Sequence, residues 1–144
     1  MLNQTTLGPS PAVLTLVELL DWRAQETPGG LAYRFLQDGT PASAESMTYG
    51  ELQRQARAIA VLLQELQCQG ERVLLLYPAG LEYIVAFLGC LYAGAVAVPA
   101  YPPRPNRSLE RIQSIIQDAA AKVALTDGST MEKLERRFAE SPVL

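Results

Sequence analysis

The sequence predicts an α/β fold in which a helix and a small hairpin are followed by β-α-β-α-β-α with parallel strands. Three observations lead to this fold class. Ser or Thr followed three residues later by Glu, the capping box that satisfies first-turn amides, marks three helix starts: Thr15 with Glu18, Thr48 with Glu51, and Ser129 with Glu132. The apolar run ERVLLLYP, residues 71–78, is typical of a strand buried on both faces. From that run onward strand and helix patterns alternate, as in a parallel sheet with right-handed crossovers.

The first two helices are separated by a predicted hairpin. The first helix begins after Thr15, ends at TPGG (residues 27–30), and is expected to direct four side chains inward: Leu16, Val17, Leu19 and Leu20. LAYRFLQDGT (residues 31–40) predicts a strand that runs into a turn at Asp38 and Gly39, and a second short strand is predicted near residues 44–47. The second helix begins after Thr48 and has an apolar stripe at helical spacing: Leu52, Ala56, Ile59, Ala60, Leu63 and Leu66.

The second half of the chain supplies the remaining elements. After the strand in residues 71–78, the predicted order is a helix Leu81–Ala93, a strand Ala95–Val98, a helix Leu109–Ala120 capped by Ser108, a strand Val123–Thr126 and a helix Thr130–Glu140. Three parallel strands make a small sheet. We therefore expect residues 1–144 to be a single incomplete domain without an internal linker, with residues 1–14 as a flexible leader.

Composition excludes several classes of function. With 49% hydrophobic residues the chain can bury a core, and a net charge of −3 provides no basic surface for nucleic acid. The absence of histidine removes the commonest neutral-pH base and metal ligand. Cys68 and Cys90 form neither a CxxC motif nor a disulfide framework, and no secretory signal precedes them. These features predict a cytoplasmic protein.

One stretch requires a test for a membrane span. Tyr83 to Tyr101 contains no charged residue over 19 positions, close to the length of a spanning helix. Gly94, followed by alternating Val96 and Val98, instead favours a helix that ends and a strand that begins. No membrane span is therefore expected.

Nucleotide-binding signatures are mostly missing. The sequence has neither GxGxxG nor GxxxxGK[ST], and TDGST (residues 126–130), which could hold a phosphate at a helix N-terminus, is explained as a turn with a capping box. Arg104, Arg107 and Arg111 surround a predicted helix start, where an anion could bind, but a solvated rim is the favoured interpretation.

The segment AVPAYPPRPNR, residues 97–107, holds four of the ten prolines. It contains PxxP patterns that aromatic grooves of partner proteins can bind, and it can equally be a stiff crossover within this fold. In the crossover interpretation Pro99 ends a strand, and Pro102, Pro103 and Pro105 keep the chain extended up to Ser108.

Two segments together resemble the first two core motifs of the adenylate-forming superfamily, which includes acyl-CoA synthetases, nonribosomal adenylation domains and luciferases. They are MTYGEL, residues 47–52, and LYAGAVAVP, residues 91–99. Tyr101 stands where the second motif often has Asp, and the continuation VPAYPP is similar to that of one branch, the fatty-acyl-AMP ligases. The motif residues are Thr48, Tyr49, Glu51, Leu52, Ala93, Gly94, Pro99, Tyr101, Pro102 and Pro103.

The resemblance implies a parent enzyme that uses ATP and Mg²⁺ to convert a fatty acid into an acyl-adenylate and pyrophosphate. It further implies transfer of the acyl group to an acyl carrier protein in polyketide, lipopeptide or hydrocarbon assembly. The family's phosphate-binding loop, its ribose-binding Asp and its catalytic Lys do not occur in these 144 residues. We therefore assign no catalytic, cofactor-binding or metal-binding residue, and we expect the rest of a ligase chain to be a partner and the fragment alone to be inactive.

Two alternatives stay open at this point. The first is a fragment of an acyl-CoA synthetase or of an amino-acid adenylation domain. The second is an independent interaction module that presents the proline segment to a partner.

Overall fold

A computed structural model describes residues 12–104 and 109–140 of the chain. The elements are α1 (Leu16–Glu26), β1 (Leu31–Leu36), a 3-10 turn (Pro41–Ser43), β2 (Ala44–Thr48), α2 (Tyr49–Glu65), β3 (Arg72–Leu76), α3 (Leu81–Tyr92), β4 (Val96–Ala100), α4 (Glu110–Ala119), β5 (Val123–Thr126) and α5 (Gly128–Glu140). Strands β1 and β2 form an antiparallel hairpin, and a parallel sheet has the order β4-β3-β5. The predicted fold class, including the hairpin, is confirmed.

The central strand β3 organises the core on both faces of the parallel sheet. Val73, Leu74 and Leu75 are all 0% exposed. Because side chains alternate along a strand, Val73 and Leu75 join a cluster with residues of α2 and α3, whereas Leu74 packs with Ile112 of α4 and Leu134 of α5. Burial on both faces explains the nearly continuous apolar run of this strand.

Helices α2 and α3 pack closely because a glycine faces the contact. A Cβ atom placed on Gly89 would lie 2.5 Å from Cγ2 of Ile59. On the α2 side the small residues Ala56 and Ala60 are buried at 0% and 5% exposure. The predicted stripe of α2 is therefore confirmed at these positions, but it is wrong at Leu66, which is 44% exposed because α2 ends at Glu65.

Helix α1 buries fewer of its apolar side chains than its sequence predicts. Leu20 and Ala24 are its buried residues, whereas Leu16 and Leu19 are 55% and 36% exposed. The prediction that Leu16 and Leu19 point into a core is wrong, because they lie along an open groove described below. Residues 1–11 of the predicted leader lie outside the described residues, and the Leu14 amide donates to the Glu18 carboxylate at 2.9 Å.

A polar network joins α1, α2 and α3. One carboxylate oxygen of Asp21 accepts hydrogen bonds from the Tyr92 hydroxyl at 2.5 Å and from the Gln53 side chain at 2.7 Å, and it forms an ion pair with Arg57 at 3.0 Å. The three donors come from helices α2 and α3. The network thus fixes α1 relative to the helix pair behind the sheet.

Two of the three predicted capping boxes are confirmed, those of Thr15 with Glu18 and Thr48 with Glu51. The third, Ser129 with Glu132, is wrong. The carboxylate of Asp127 accepts the Thr130 amide at 2.8 Å, so α5 begins at Gly128 and Ser129 lies inside it. The predicted cap Ser108 lies outside the described residues.

Strand β4 continues through Pro99 to Ala100, so the prediction that Pro99 ends the strand is wrong. Pro99 is aligned with Leu75 of β3, and β4 lies at the edge of the sheet. A proline lacks the N–H group that an inner strand needs, but an edge strand tolerates this loss.

The uncharged stretch from Tyr83 to Tyr101 is divided between α3 and β4, so its interpretation as one membrane helix is wrong. Within the described ranges, we find no helix with the length and apolar character needed to cross a bilayer.

Candidate functional site

The carboxyl ends of the three parallel strands meet at one edge of the sheet. In the strand register Leu76 of β3 lies beside Ala100 of β4 and Thr126 of β5. The segments that follow these strands begin with Tyr77, Tyr101 and Asp127. In open α/β sheets ligands bind outside the carboxyl ends of the strands, and this edge is therefore the candidate site.

A cleft of about 340 Å³ opens at this edge between the segments that follow β3 and β4. Its lining is aromatic and apolar, formed by Tyr77, Pro78, Ala79, Tyr83, Pro99, Ala100 and Tyr101. Tyr101 is 70% exposed, so its ring forms an outer wall that a bound molecule could cover. The volume and the lining match those of small-molecule sites.

Tyr77, which lines this cleft, has a phenol whose pKa differs from its ordinary value. Burial raises its pKa to about 12, and the nearby charges of Glu82 and Asp127 act in the same direction. The hydroxyl therefore remains protonated at neutral pH. It can donate a hydrogen bond, but it cannot act as an anionic base.

The TDGST segment after β5 is occupied by its own hydrogen bonds. The carboxylate of Asp127 accepts the amide and the hydroxyl of Thr130 at 2.8 and 2.9 Å and the hydroxyl of Ser129 at 2.8 Å. Burial raises the pKa of Asp127, but these hydrogen bonds outweigh it and the net pKa is below the ordinary value. An anion would meet a carboxylate here, so the geometry favours the predicted turn over a phosphate site.

Two arginines hold the segment that follows β4. Arg111 of α4 donates to the Tyr101 carbonyl oxygen at 3.3 Å, and its guanidinium carbon lies 6.0 Å from the centre of the Tyr101 ring. Arg137 of α5 donates to the Arg104 carbonyl oxygen at 3.3 Å. Arg104 and Arg111 are exposed, as the predicted solvated rim requires, and Arg111 also supports the loop. Arg107 and Pro105 lie outside the described residues. Because Pro99 lies within β4, the first PxxP pattern is not available as a free ligand.

The first predicted motif builds the start of α2. The Thr48 hydroxyl accepts the Glu51 amide at 3.3 Å, and the Glu51 carboxylate accepts the Thr48 amide at 2.9 Å. Tyr49 and Leu52 line a second cavity, a groove of about 490 Å³ between α1, β1, α2 and α3. Leu52 is also a core residue at 2% exposure.

The second predicted motif builds the connection from α3 to the cleft. Ala93 is buried, and Gly94 has φ of 68°, a left-handed conformation that favours glycine at the helix end. Pro99 and Tyr101 line the cleft, and Pro102 and Pro103 follow as half-buried residues. The two motifs therefore lie at two cavities, and Tyr83 lines both of them.

Sequence reasoning missed Tyr77, Tyr83 and the groove. Tyr77 had a usable signal, because it directly follows a buried strand whose carboxyl end defines the edge. The groove had none, since its walls come from four elements that are far apart in sequence.

The described residues do not fit a resident metal ion or the phosphates of ATP. In this part of the chain no three His, Cys, Asp or Glu residues are grouped as metal ligands. The acidic groups near the cleft, Glu82 and Asp127, are the wrong charge for a triphosphate. We assign no step of a reaction to either group here.

Comparisons with known proteins identify the family of this chain. A family model described as AMP-binding enzyme matches residues 20–143. A medium-chain-fatty-acid--[acyl-carrier-protein] ligase of Moorena producens (strain JHB) is 47% identical over 133 residues, which are 90% of this chain and 22% of the relative.

Two solved structures are also similar to this chain. A fatty acyl-adenylate ligase of Legionella pneumophila, in complex with acyl adenylate and pyrophosphate, has a TM-score of 0.77 and 39% identity over 83% of this chain and 21% of its own. A fatty acyl CoA synthetase of Mycobacterium tuberculosis has a TM-score of 0.65 and 27% identity over 83% of this chain and 22% of its own. This chain thus spans about a fifth of the length of the proteins it matches.

Proposed function

The chain belongs to the AMP-binding enzyme family and resembles the N-terminal part of fatty-acyl-AMP ligases, and from this premise we propose that it serves an enzyme that activates a fatty acid with ATP. The product is an acyl-adenylate, and the acyl group passes to an acyl carrier protein. Residues 1–144 form one incomplete domain of that enzyme. The observation that supports this most is the 47% identity to a ligase whose name includes both a fatty acid and a carrier protein.

The contribution of this chain is structural positioning. In acid activation a carboxylate oxygen attacks the α-phosphorus, and catalysis depends on alignment and on neutralising the phosphate charge. The groups that neutralise this charge, including Mg²⁺, belong to parts of the enzyme outside these residues. This chain supplies the carboxyl edge of the sheet and its aromatic cleft. There Tyr77 offers a protonated hydroxyl and Tyr101 offers an apolar wall.

A hybrid enzyme tests this proposal. The aligned part of the Moorena ligase is replaced by this chain, and decanoyl-adenylate formation is followed by mass spectrometry. Since the two sequences share the fold and 47% of their residues, the hybrid is expected to retain fatty-acid-dependent adenylation. A hybrid with native-like circular dichroism that forms no acyl-adenylate would contradict the proposal.

Tyr101→Asp in the same hybrid tests the role of the cleft. Because Tyr101 is 70% exposed, the substitution is expected to leave the fold intact and to raise the KM for fatty acid more than it lowers kcat. Arg136→Met on the exposed face of α5 is a matched control that is expected to change neither constant. An unchanged KM in Tyr101→Asp would remove the cleft from the proposal without removing the family assignment.

A second candidate is an acyl-CoA synthetase, favoured by the match to the Mycobacterium tuberculosis enzyme but at a lower TM-score, 0.65 against 0.77. The acceptor separates the two functions. Loading of coenzyme A, with carrier protein ignored, by the protein that contains this chain would establish the second candidate and exclude the first.

A further inference from the structure

Helix α1 is attached to the rest of the molecule by few buried side chains. Its buried residues are Leu20 and Ala24, whereas α2 buries five residues and α3 buries six. Leu20 packs in the cluster that contains Leu52 and Leu88. Within the described residues, the two clusters built around β3 contain none from α1. Burial of apolar surface therefore holds α1 less firmly than it holds α2 or α3.

A polar attachment supplements this small buried area. It is the Asp21 latch, which consists of Asp21 and its donors Tyr92, Gln53 and Arg57. All three donors reach the same carboxylate oxygen, Oδ1, at 2.5, 2.7 and 3.0 Å, and they belong to α2 and α3. A single ionised side chain thus connects α1 to both helices. The Asp21 side chain is 39% exposed, so water can replace its donors when α1 moves away.

The turn between α1 and β1 has the properties of a hinge. The Gly50 amide donates to the Pro28 carbonyl oxygen at 2.9 Å, and the Tyr49 amide donates to the Gly30 carbonyl oxygen at 3.0 Å. These two bonds fix the turn to the start of α2. A Cβ atom on Gly29 would have no atom within 4 Å, so the turn is not crowded at that position. Helix α1 can therefore move about this turn while β1 keeps its place in the hairpin.

We infer that α1 is a hinged lid, which opens about this turn as a unit when the Asp21 latch breaks, while α2, α3 and the parallel sheet stay folded. Opening exposes Leu52 and Leu88, which pack with Leu20 and are 2% and 8% exposed in the closed structure. It also widens the groove between α1, β1, α2 and α3, because one wall of that groove moves with α1. The inference goes beyond the proposed function, since it concerns a motion of this chain and holds whether or not adenylation takes place.

Amide hydrogen exchange followed by mass spectrometry tests the lid, because a local opening exposes the amides of the opening segment alone. Exchange is measured at neutral pH in the 144-residue chain and in the Moorena hybrid, where the remainder of the enzyme is present. Asp21→Asn is expected to accelerate exchange in α1 about tenfold, because the three donors lose their charged acceptor. Peptides from α2 and α3 are expected to keep their exchange rates. Circular dichroism of each variant monitors folding.

A substitution on a different helix separates the latch from a local effect on α1. Tyr92→Phe removes the hydroxyl donor from α3 and keeps the ring. It is expected to accelerate exchange in α1 severalfold and to leave exchange in α3, which carries the substitution, unchanged. Because both groups act through one bond, the double variant is expected to exchange less than about twofold faster than Asp21→Asn. Glu26→Gln, which removes an exposed carboxylate of α1 outside the latch, is the matched control and is expected to leave exchange in α1 unchanged.

Three results would overturn the inference. Unchanged exchange of α1 in Asp21→Asn would show that the latch does not hold the helix. Equal acceleration of α1 and α3 would show that α1 opens only with the whole molecule. Exchange of α1 as slow as that of α3 in the folded hybrid would show that the remainder of the enzyme keeps α1 closed. A folded hybrid that forms no acyl-adenylate would contradict the proposed function but not the lid, since none of these readouts requires adenylation.

Discussion

Gly89→Ala is expected to destabilise the chain even though alanine is the better helix former. The new Cβ would lie 2.5 Å from Cγ2 and 2.6 Å from Cβ of Ile59, and 3.0 Å from the Ala56 carbonyl oxygen. Ordinary contacts between carbon atoms are about 3.5–4.0 Å, so α2 and α3 must separate by about 1 Å. The obstacles are a β-carbon and a backbone oxygen, which cannot rotate away.

The magnitude follows from two opposing effects. Overpacking a well-packed core costs about 1–3 kcal/mol, and the rigid obstacles place Gly89→Ala near the upper value. Replacing Gly by Ala inside a helix returns about 1 kcal/mol. The net loss is about 2 kcal/mol, which lowers Tm by about 6–10 °C for a chain of this size.

Thermal and urea denaturation followed by far-UV circular dichroism measure this loss. Gly128→Ala in α5 is the matched control, because its Cβ would have no atom within 4 Å. The control is expected to be neutral or slightly stabilising. A Gly89→Ala variant as stable as the natural chain would refute the close packing of α2 on α3.

Three further predictions concern hydrogen bonds of individual side chains. Thr48→Ala removes the side-chain cap of α2, so it is expected to lower the free energy of unfolding in urea by about 1 kcal/mol. The same substitution is expected to raise the pKa of Glu51 toward its ordinary value of 4.5, because hydrogen bonds from the Thr48 amide and hydroxyl lower that pKa. Burial raises the pKa of Asp21, but bonds from Tyr92 and Gln53 and the charge of Arg57 leave it below 3.8. The stability from Asp21 is therefore present above pH 3.8 and lost as the pH falls through the folded pKa, and an equally steep acid loss in Asp21→Asn would contradict this. Asp38 accepts hydrogen bonds from Ser43 and Thr40, so its carboxyl is expected to titrate in NMR with a pKa of about 2, and Ser43→Ala to raise that pKa toward 3.8; an unchanged titration would show that the turn differs from the structure.

The parts of the fold that depend on local pattern could be predicted from the sequence. The capping boxes at Thr15 and Thr48, the apolar run of β3 and the Gly94 turn each specify their structure within a few residues. The expectations for Leu16 and Leu19 are wrong because burial does not depend on local pattern alone. Leu16 and Leu19 have helical spacing, but whether a helix face is buried depends on which elements lie opposite it.

The other differences depend on contacts between separate segments or on competition between neighbouring capping residues. Pro99 lies inside β4 because β4 is an edge strand, and strand order is not written in any single segment. Asp127 caps α5 because its carboxylate accepts the Thr130 amide. The helix therefore begins at Gly128, and Ser129 lies within it. The cleft of Tyr77, Tyr83 and Tyr101 combines three segments, so the sequence provides its residues but not their proximity.

The central proposal is that this chain contributes fold and cleft surface to an enzyme of the AMP-binding family, and that its described residues do not by themselves handle the phosphates of ATP. Fatty-acid-dependent exchange of labelled pyrophosphate into ATP by the purified 144-residue chain tests it most directly. The account predicts no exchange above a protein-free blank at any fatty-acid chain length, because the phosphate-binding loop and the catalytic Lys that the family resemblance implies do not occur in this sequence. Exchange that rises with the concentration of this chain and of fatty acid would contradict it.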